Sequence, residues 1–264
     1  MPELPEVETY ARYFARHALH QRIARVDVLD ERILGEIRRA TFVRKLKGSA
    51  FASVRRHGKH LFALATRNAQ PATWLHLHFG MTGDLAYSRD APPRFARIVF
   101  AFDGGMHLAF EDMRLFGLAD LVDSPDEFVR ERGLGPDPLD RGFTPKHFAA
   151  LLEGRRGAVK SLLMTQEVIA GLGNLYVDET LYQTSVHPRR PVHRLKGDEV
   201  QAIFTTMRRI LRETIARHAR EAELPGPYLI HHREAGALCP RCGGTIRKTV
   251  VFGRTTYFCA KHQR

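Results

Sequence analysis

The sequence lacks long apolar runs and has one tryptophan and three cysteines among its 264 residues. A membrane-spanning helix requires about 18 consecutive apolar residues, so the absence of such a run predicts that no membrane is a partner. A secretory signal requires a basic start followed by an apolar stretch, whereas the first six residues contain two prolines and two glutamates. We therefore expect a cytoplasmic protein that is not secreted.

Cysteine is too scarce for a disulfide framework. An odd number of cysteines cannot pair completely within one chain, and all three lie after residue 238. This clustering favours a local metal site over disulfides, and it is typical of proteins that fold in a reducing, intracellular compartment.

Acidic residues are in the minority. Lysine and arginine number 41 against 29 aspartates and glutamates, which leaves a formal net charge of +12. This excess favours a polyanionic partner, and nucleic acid is the first candidate. Because 44% of the residues are hydrophobic, the chain can form one large domain or two ordinary ones, and wholesale disorder is excluded.

The first half of the chain combines one helix with many strands. Between residues 5 and 18 apolar side chains recur at helical spacing, which predicts an amphipathic helix. Between residue 22 and about residue 122, short segments rich in Val, Ile, Phe and Leu predict a sandwich or barrel of antiparallel strands. In one segment His76 and His78 alternate with apolar residues, so we expect both histidines on one strand face.

Glycine and proline cluster between residues 124 and 138, which predicts a linker between two domains. After this linker the apolar period is helical, and the last segment consists of short strand-like pieces around the cysteines. We assign the first domain to residues 1–124, the linker to 125–144, a helical domain to 145–227 and a metal-binding finger to 228–264.

The strongest chemical signal is a set of two ligand pairs near the C-terminus. Cys239 and Cys242 form the first pair, and Cys259 and His262 form the second after sixteen intervening residues. Each pair can bind one side of a tetrahedral ion, and together they leave no open coordination position. The spacing predicts one structural zinc ion, which would let a small segment fold without a large core. In the alternative, Cys259 and His262 are ordinary residues of a frayed C-terminus.

The N-terminus holds a second candidate centre. Removal of Met1 would leave Pro2 as a secondary amine that titrates near about pH 8. Attack of this amine on a sugar C1′ carbon would displace a base and form an iminium. Glu3 could move protons beside it, while Glu6 could orient the amine or cap the helix. Taken alone, proline and acidic residues are also typical of an ordinary helix start.

Several short motifs follow one another along the chain. They are MPELPEVET at residues 1–9, Gly58-Lys59, HFGMTG at 78–83, RLFG at 114–117, GLGN at 171–174 and the terminal cysteine pairs. In this order they resemble the formamidopyrimidine-DNA glycosylase and endonuclease VIII family over essentially the whole chain, with the formamidopyrimidine branch favoured. The resemblance implies an α+β fold, in which a leading helix and an N-terminal antiparallel β-sandwich precede a helix-two-turn-helix domain with a zinc finger. DNA is expected to lie in a basic cleft between the two domains.

The resemblance implies a bifunctional DNA glycosylase and abasic-site lyase of base-excision repair. Such an enzyme removes an oxidised purine, formamidopyrimidine or 8-oxoguanine, through a Schiff base on the N-terminal proline. It then nicks the strand by β,δ-elimination. The partner is expected to be double-stranded DNA with damaged bases, and the protein a nucleoid-associated monomer. No nucleotide cofactor is implied, because the GLGN motif lacks the third glycine and the preceding strand of a dinucleotide site.

By resemblance, Pro2 is the Schiff-base nucleophile and Glu3 the proton donor, with Glu6 in support. Lys59 matches the family lysine that acts in β-elimination and touches phosphate. Arg254 matches the finger arginine associated with δ-elimination. The alternatives are a solvated surface lysine and an arginine that only contacts phosphate.

The resemblance also implies base flipping, because a base inside a duplex is out of reach of an active site. Met81, Arg114 and Phe116 match the residues that fill the resulting gap. In the alternative, Met81 and Phe116 are core residues, although the glycines around Met81 predict an exposed turn.

A further group of residues is expected to contact phosphate. Asn174 follows the glycine hairpin at a helix N-terminus, where backbone N–H groups bind anions. The other candidates, each of which could instead belong to a solvated basic face, are His78, Arg97, Arg155, Arg156 and Lys160.

Some positions depart from the family pattern. Arg97 stands where the guanine-lesion branch has a histidine, and residues 220–227 are short beside the loop that covers a flipped 8-oxoguanine. Residues 231–233 resemble the endonuclease VIII branch, Thr165 replaces a common acidic residue and His262 replaces the fourth cysteine. Two alternatives therefore stay open: the same chemistry on oxidised pyrimidines, and a damaged-DNA-binding protein without catalysis.

Overall fold

The computed structural model describes residues 1–67 and 71–264. The chain divides into two units, Met1–Gly133 and Leu134–Arg264, so the division falls inside the predicted linker. The predicted α+β class is confirmed. Within the described part of the chain, no helix is long and apolar enough to cross a membrane.

In the residues that the structure describes, the first unit contains two four-stranded antiparallel sheets and three α-helices. Its strands are β1 (Ile23–Val28), β2 (Ala50–His57), β3 (His60–Thr66), β4 (Thr73–His78), β5 (Gly83–Ser88), β6 (Ala96–Phe102), β7 (His107–Asp112) and β8 (Leu118–Val122). Its helices are α1 (Leu4–Ala18), α2 (Arg39–Leu46) and α3 (Pro125–Glu131), the last of which occupies the start of the predicted linker. The strand order is β1-β6-β7-β5 in one sheet and β2-β3-β4-β8 in the other.

One apolar core joins both sheets to α1, which confirms the predicted sandwich with a leading helix. It includes Phe14 of α1, Phe51 of β2 and Phe100 of β6, all fully buried. The Phe14 and Phe51 rings meet edge to face with centroids 4.9 Å apart, and Phe51 meets Phe100 in the same way at 5.8 Å. Because aromatic side chains bury large apolar areas, this row of rings anchors α1 to the sandwich.

The second unit is helical up to its last segment. Its helices are α4 (Pro145–Leu152), α5 (Val159–Met164), α6 (Asn174–Gln183) and α7 (Gly197–Ala216), and its strands are β9 (Ile246–Val251) and β10 (Arg254–Cys259). Pairing of Val251 with Arg254 leaves Phe252 and Gly253 as a two-residue turn. Both turn residues have positive φ, 52° and 66°, as a tight hairpin of this length requires.

Candidate functional site

The first turn of α1 holds the predicted N-terminal centre in place. Glu3 is the N-cap residue and is only 4% exposed. Its backbone N–H donates to Glu6 Oε2 at 2.8 Å, and its side chain accepts from the backbone of Glu6, which completes a capping box. Glu6 therefore caps the helix, which is one of its two predicted roles. Pro2 is half-buried directly before this cap, next to a carboxyl group whose position the helix determines.

The turn that carries Lys59 is tied to α1. Gly58 has φ +54° between β2 and β3, and the Lys59 side chain that follows it is buried at 7% exposure. Arg56 donates through Nε to Glu8 of α1 at 2.9 Å and through Nη1 to the Gly58 carbonyl at 3.0 Å. The Arg56 side chain is 8% exposed, so this link is sheltered from solvent. It places the Lys59 turn beside the N-terminal half of α1.

His78 lies close to Lys59 at the end of β4. Burial, and after it the nearby charge of Lys59, lowers the pKa of His78, so the imidazole is neutral at physiological pH. The Gly80 backbone N–H donates to His78 Nδ1 at 3.2 Å, which places the ring proton on Nε2. His78 can therefore donate one hydrogen bond to an anionic group such as a phosphate oxygen.

Two further histidines complete a cluster that the sequence pattern showed only in part. The register pairs His60 of β3 with His78, and His60 Nδ1 lies 2.9 Å from His76 Nε2. Burial is the largest cause that lowers the pKa of both His60 and His76, and the neighbouring histidines add to it. His76 Nδ1 is a buried atom without a hydrogen-bond partner. The alternation along β4 predicted a shared face for His76 and His78, but His60 enters the cluster only through strand pairing.

Met81 and Phe116 lie on exposed turns of the first unit, as the glycines around Met81 predicted for that residue. They are 40% and 57% exposed, and the Arg114 guanidinium lies 5.0 Å from the centre of the Phe116 ring. The two turns touch backbone to backbone at Gly80, where a Cβ atom would lie 2.3 Å from the Phe116 carbonyl carbon. The predicted gap-filling residues are therefore presented together, and Gly80 permits their close approach.

Asp112, which the sequence analysis missed, organises these turns from inside. Its carboxylate is fully buried and accepts from the backbone N–H groups of Gly117 at 2.6 Å and Arg114 at 3.2 Å. It also accepts from the Thr82 hydroxyl of the Met81 turn. A carboxylate that accepts several N–H and O–H donors is held strongly, so one buried residue joins both turns. No periodic pattern distinguishes this aspartate from a surface one.

Arg97 contacts the end of β7, directly before the turn that carries Arg114 and Phe116. Its Nε donates to the Asp112 carbonyl at 2.7 Å, and its Nη1 lies 3.5 Å from Asp30 Oδ2. The side chain is 18% exposed, so part of the guanidinium still faces solvent. Its position supports loop bracing in addition to the predicted phosphate contact.

Lys160, which was expected at the surface of the second unit, is buried. It was expected as a phosphate contact, yet it is fully buried, with Nζ 2.6 Å from Asn174 Oδ1, 2.6 Å from Asp178 Oδ1 and 2.7 Å from Thr256 Oγ1. An ammonium group has three N–H donors, and these acceptors engage all of them. Arg155 and Arg156, the neighbouring candidates, are exposed.

Asn174 begins α6 directly after the N-cap Gly173. Its Oδ1 faces Lys160, and its Nδ2 donates to the Thr255 carbonyl of β10 at 2.9 Å. These two contacts fix the orientation of the amide. They use only one of its two N–H groups. Arg254 lies exposed at the start of β10, and Phe252, two positions earlier in the hairpin turn, is 61% exposed.

The four predicted metal ligands converge in the second unit. The ligand atoms of Cys239, Cys242, Cys259 and His262 all lie within 4.8 Å of one another. Cys242 Sγ is 3.5 Å from Cys259 Sγ and 3.4 Å from His262 Nδ1. Tetrahedral zinc with bonds of about 2.3 Å to sulfur and about 2.0 Å to nitrogen places such atoms about 3.5–3.8 Å apart. The predicted structural zinc site of Cys3His type is thereby confirmed.

Residues behind the ligands orient them. His262 Nε2 lies 3.2 Å from the Tyr182 carbonyl, which assigns the ring proton to Nε2 and leaves Nδ1 for the metal. The Tyr182 hydroxyl lies 3.2 Å from Cys239 Sγ. Helix α6 thus contributes to the finger through its last turn.

Three family models match successive parts of the chain. Residues 1–119 match the formamidopyrimidine-DNA glycosylase N-terminal domain, and residues 134–224 match the helix-two-turn-helix domain of the same glycosylase. Residues 236–261 match the zinc finger found in this glycosylase and in isoleucyl-tRNA synthetase. The order of the three agrees with the predicted order of sandwich, helices and finger.

Whole-chain relatives give the same result. A formamidopyrimidine-DNA glycosylase of Symbiobacterium thermophilum is 36% identical over 279 residues, which cover 100% of this chain and 89% of the relative. A Lactococcus lactis formamidopyrimidine-DNA glycosylase, crystallised non-covalently bound to DNA with an abasic site, is 27% identical, with a TM-score of 0.87 and 99% of each chain covered. A mutant of the Lactococcus lactis enzyme in complex with DNA that contains a formamidopyrimidine lesion has a TM-score of 0.89 at 27% identity, with 100% of each chain covered.

Proposed function

Because the chain belongs to the formamidopyrimidine-DNA glycosylase family of base-excision repair, we propose that it removes oxidised purines from double-stranded DNA and then cuts the strand at the resulting abasic site. The observation that carries this proposal is the first turn of α1, where Pro2 precedes a buried Glu3 that Glu6 holds in place. The Lys59 turn is tied to the same helix through Arg56. In this proposal Pro2 is the nucleophile, Glu3 the proton donor and Lys59 a cation whose turn is tied to the same helix.

The first chemical step requires removal of Met1, which frees the Pro2 nitrogen. The nitrogen lone pair attacks the sugar C1′ and the amine loses its proton, while the bond from C1′ to the damaged base breaks with its electron pair leaving on the base, which takes up a proton. The sugar ring then opens as the C1′–O4′ bond breaks, O4′ takes up a proton and the amine becomes an iminium. We assign proton supply in these steps to Glu3, because it directly follows Pro2 in the chain and its side chain is buried and held by the capping box.

Strand cleavage follows from the iminium. Loss of a proton from C2′ expels the 3′ phosphate in β-elimination, and loss of a second proton expels the 5′ phosphate in δ-elimination. We assign Lys59 and His78 to phosphate binding during the first elimination, and their proximity and the Nε2 donor of His78 support this. Arg254, exposed at the start of β10, is assigned to the second.

The proposed DNA contacts use both units. Met81, Arg114 and Phe116 would enter the gap left by the flipped base, because their turns present two apolar side chains and one donor. Asn174, Arg155 and Arg156 would contact phosphates on the second unit. We further propose that the protein acts as a cytoplasmic, nucleoid-associated monomer without a nucleotide cofactor.

The experiment that tests the proposal is borohydride trapping on matched duplexes with 8-oxoguanine, formamidopyrimidine, an oxidised pyrimidine or an abasic site. Borohydride reduces an iminium to a stable amine, so we expect a covalent complex, and mass spectrometry should map the crosslink to Pro2. Tight binding of the processed protein without any crosslink would instead support the alternative of a damage-binding protein without catalysis.

One observation favours a second lesion class. Residues 220–227 contain only a short 3₁₀ turn at Glu221–Glu223, and Leu224 is packed at 5% exposure. A segment so short offers little chain to cover a large flipped purine. The alternative substrate is therefore an oxidised pyrimidine, and the ratio of trapping yields on the purine and pyrimidine duplexes decides between the two.

A further inference from the structure

A buried network of charges joins α5, α6 and the finger. Asp178 of α6 has a fully buried side chain, with Oδ1 2.6 Å from Lys160 Nζ and Oδ2 2.8 Å from Arg233 Nη1. The backbone N–H of Tyr257 also donates to Oδ2, at 3.1 Å. With Thr256, these residues form what we call the Asp178 network: Lys160, Asp178, Arg233, Thr256 and Tyr257.

The Asp178 network reaches the two predicted phosphate contacts of this unit. Lys160 donates to Asn174 Oδ1 and so turns the amide nitrogen of Asn174 away from itself, toward the Thr255 carbonyl and solvent. Lys160 also donates to Thr256 Oγ1, which in turn donates to the Arg254 carbonyl at 3.0 Å. One buried ammonium therefore connects Asn174 and the Arg254 backbone.

The network also reaches the metal site. Strand β10 takes part through three successive residues, the Thr255 carbonyl, the Thr256 hydroxyl and the Tyr257 N–H, and it ends at the zinc ligand Cys259. The strand is thus held by the zinc ligand at its last residue and by the Asp178 network at residues 255–257. The position of Arg254 relative to α6 depends on both.

Stability alone is a poor explanation for this arrangement. Taking charges out of water costs several kcal/mol per ion, and buried ion pairs are often no more stabilising than apolar residues of the same volume. Their best-attested benefit is a defined geometry, because each donor must find its acceptor. A geometric role fits a network whose ends are two candidate phosphate contacts.

We propose that Asp178 and Lys160 are positioning residues that hold Asn174 and Arg254 in one geometry, so that both groups engage the phosphates of the same DNA strand. This inference rests on the proposed function and extends it to residues that do not touch DNA. It also reinterprets Lys160, whose contribution to phosphate binding passes through Asn174 and Thr256.

The test uses the full-length, zinc-loaded protein and the pair Thr256→Val and Thr256→Ser. Valine has nearly the shape of threonine but removes the acceptor for Lys160 and the donor to Arg254, whereas serine keeps the hydroxyl. We expect Thr256→Val to bind a duplex with a tetrahydrofuran abasic analogue about tenfold more weakly. The slope of log K against log salt concentration should also fall, by the amount that corresponds to about one phosphate contact. The ratio of δ- to β-elimination products on a natural abasic site should fall as well. Thr256→Ser should match the wild type in each measurement.

Asp178→Asn provides a second, independent disturbance. The amide keeps one acceptor oxygen and places its NH2 group against either Lys160 or the pair Arg233 and Tyr257, which are all donors, so one side of the network is lost. We expect the same change in binding, salt dependence and product ratio as for Thr256→Val, with zinc content still at one per chain. Asp198→Asn, at an exposed position in the first turn of α7, is the matched control.

Hydrogen exchange of the DNA-free protein separates the inference from the proposed function. We expect both network variants to exchange faster in the first turn of α6 and in β10, while β9 near the zinc keeps its protection. Unchanged exchange, or unchanged binding and product ratio in properly folded variants, would overturn the inference. A wild-type protein that forms no complex with abasic-site DNA would overturn the proposed function, even where the exchange data show the coupling between α6 and β10.

Discussion

The two units hold their candidate side chains in place by different physical means. In the first unit one large apolar core joins α1 to both sheets, and the exposed Met81 and Phe116 lie on turns at its surface. In the finger the buried apolar cluster is small, and two of its members, Cys239 and Cys259, are zinc ligands. The finger therefore depends on a metal ion and on the neighbouring Asp178 network, where the first unit depends mainly on a large apolar core.

The comparison shows that candidate side chains can be held in position either by an apolar core or by a metal ion together with buried charges. The first unit should respond to changes that disturb its packed turns or charge its buried histidines. The second should respond to loss of metal or of the Asp178 network. Trp74, the single tryptophan, lies in β4 and reports on the first unit alone.

The largest effect should follow a change in the N-terminal centre. Pro2→Gly, with Met1 removed, replaces the ring-held secondary amine by a flexible primary one. We expect base release to slow by about 100-fold, which is about 2.7 kcal/mol of barrier, while binding to an abasic-analogue duplex stays within twofold. Single-turnover kinetics measure the first quantity and fluorescence anisotropy the second. Base release at the wild-type rate by the processed variant would contradict the nucleophile assignment.

Loss of zinc should affect the second unit only. Cys239→Ser removes one of four ligands, so we expect the finger to unfold and DNA binding to weaken by about 30-fold to 100-fold, as when several phosphate contacts are lost together. The urea midpoint that Trp74 fluorescence reports should stay at its wild-type value. A near-zero metal content in active wild-type protein, measured by elemental mass spectrometry, would refute the metal assignment.

Low pH should destabilise the first unit. Burial lowers the pKa of His60 and His76 in the folded chain, so below about pH 6.5 the unfolded chain binds protons that the folded chain does not. The free energy of unfolding should therefore fall as the pH drops from 7 to 5, by up to about 2 kcal/mol for each histidine.

The check is urea unfolding followed through Trp74 at both pH values. In the double variant His60→Gln and His76→Gln the difference between the two pH values should shrink, because glutamine does not titrate. His193→Gln, at an exposed position, serves as the control. An equal pH dependence in the double variant would show that other groups are responsible.

The smallest effect should come from the contact between the two exposed turns. Gly80→Ala places a Cβ atom against the Phe116 carbonyl at a position with φ +55°, so we expect a loss of about 1–3 kcal/mol in stability and several-fold weaker DNA binding. Gly104→Ala is the matched control, since an added Cβ there meets no atom within 4 Å. Equal thermal midpoints and affinities for the two variants would contradict the close approach.

Much of this molecule could be predicted from local patterns. The apolar period after Pro5 predicted α1, which the structure places at Leu4–Ala18. The paired spacing of cysteines and histidine predicted the zinc site because ligands two residues apart must lie close in any fold. The alternation along β4 predicted one face for His76 and His78 for the same reason, since strand geometry repeats every two residues.

Other features depend on contacts between residues far apart in sequence. His60 joins His76 through strand register, and Asp112 joins the Met81 turn to the Phe116 turn across 30 residues of chain. Lys160 was expected at the surface, yet Thr256, 96 positions away, and Asp178 surround it in the interior. A lysine in a basic stretch has the same local pattern whether it is solvated or buried against a carboxylate.

The sequence by itself determined the order of sandwich, helices and finger, the ligands of the zinc ion and the start of α1. These features depend on spacings of a few residues, which helix, strand and metal geometry translate directly into proximity. Only the tertiary structure decided which polar side chains are buried, because burial depends on every element that packs around a residue. For that reason the burial of Asp112, Lys160 and Asp178 is visible only in the folded structure, since no local pattern distinguishes these residues from exposed ones.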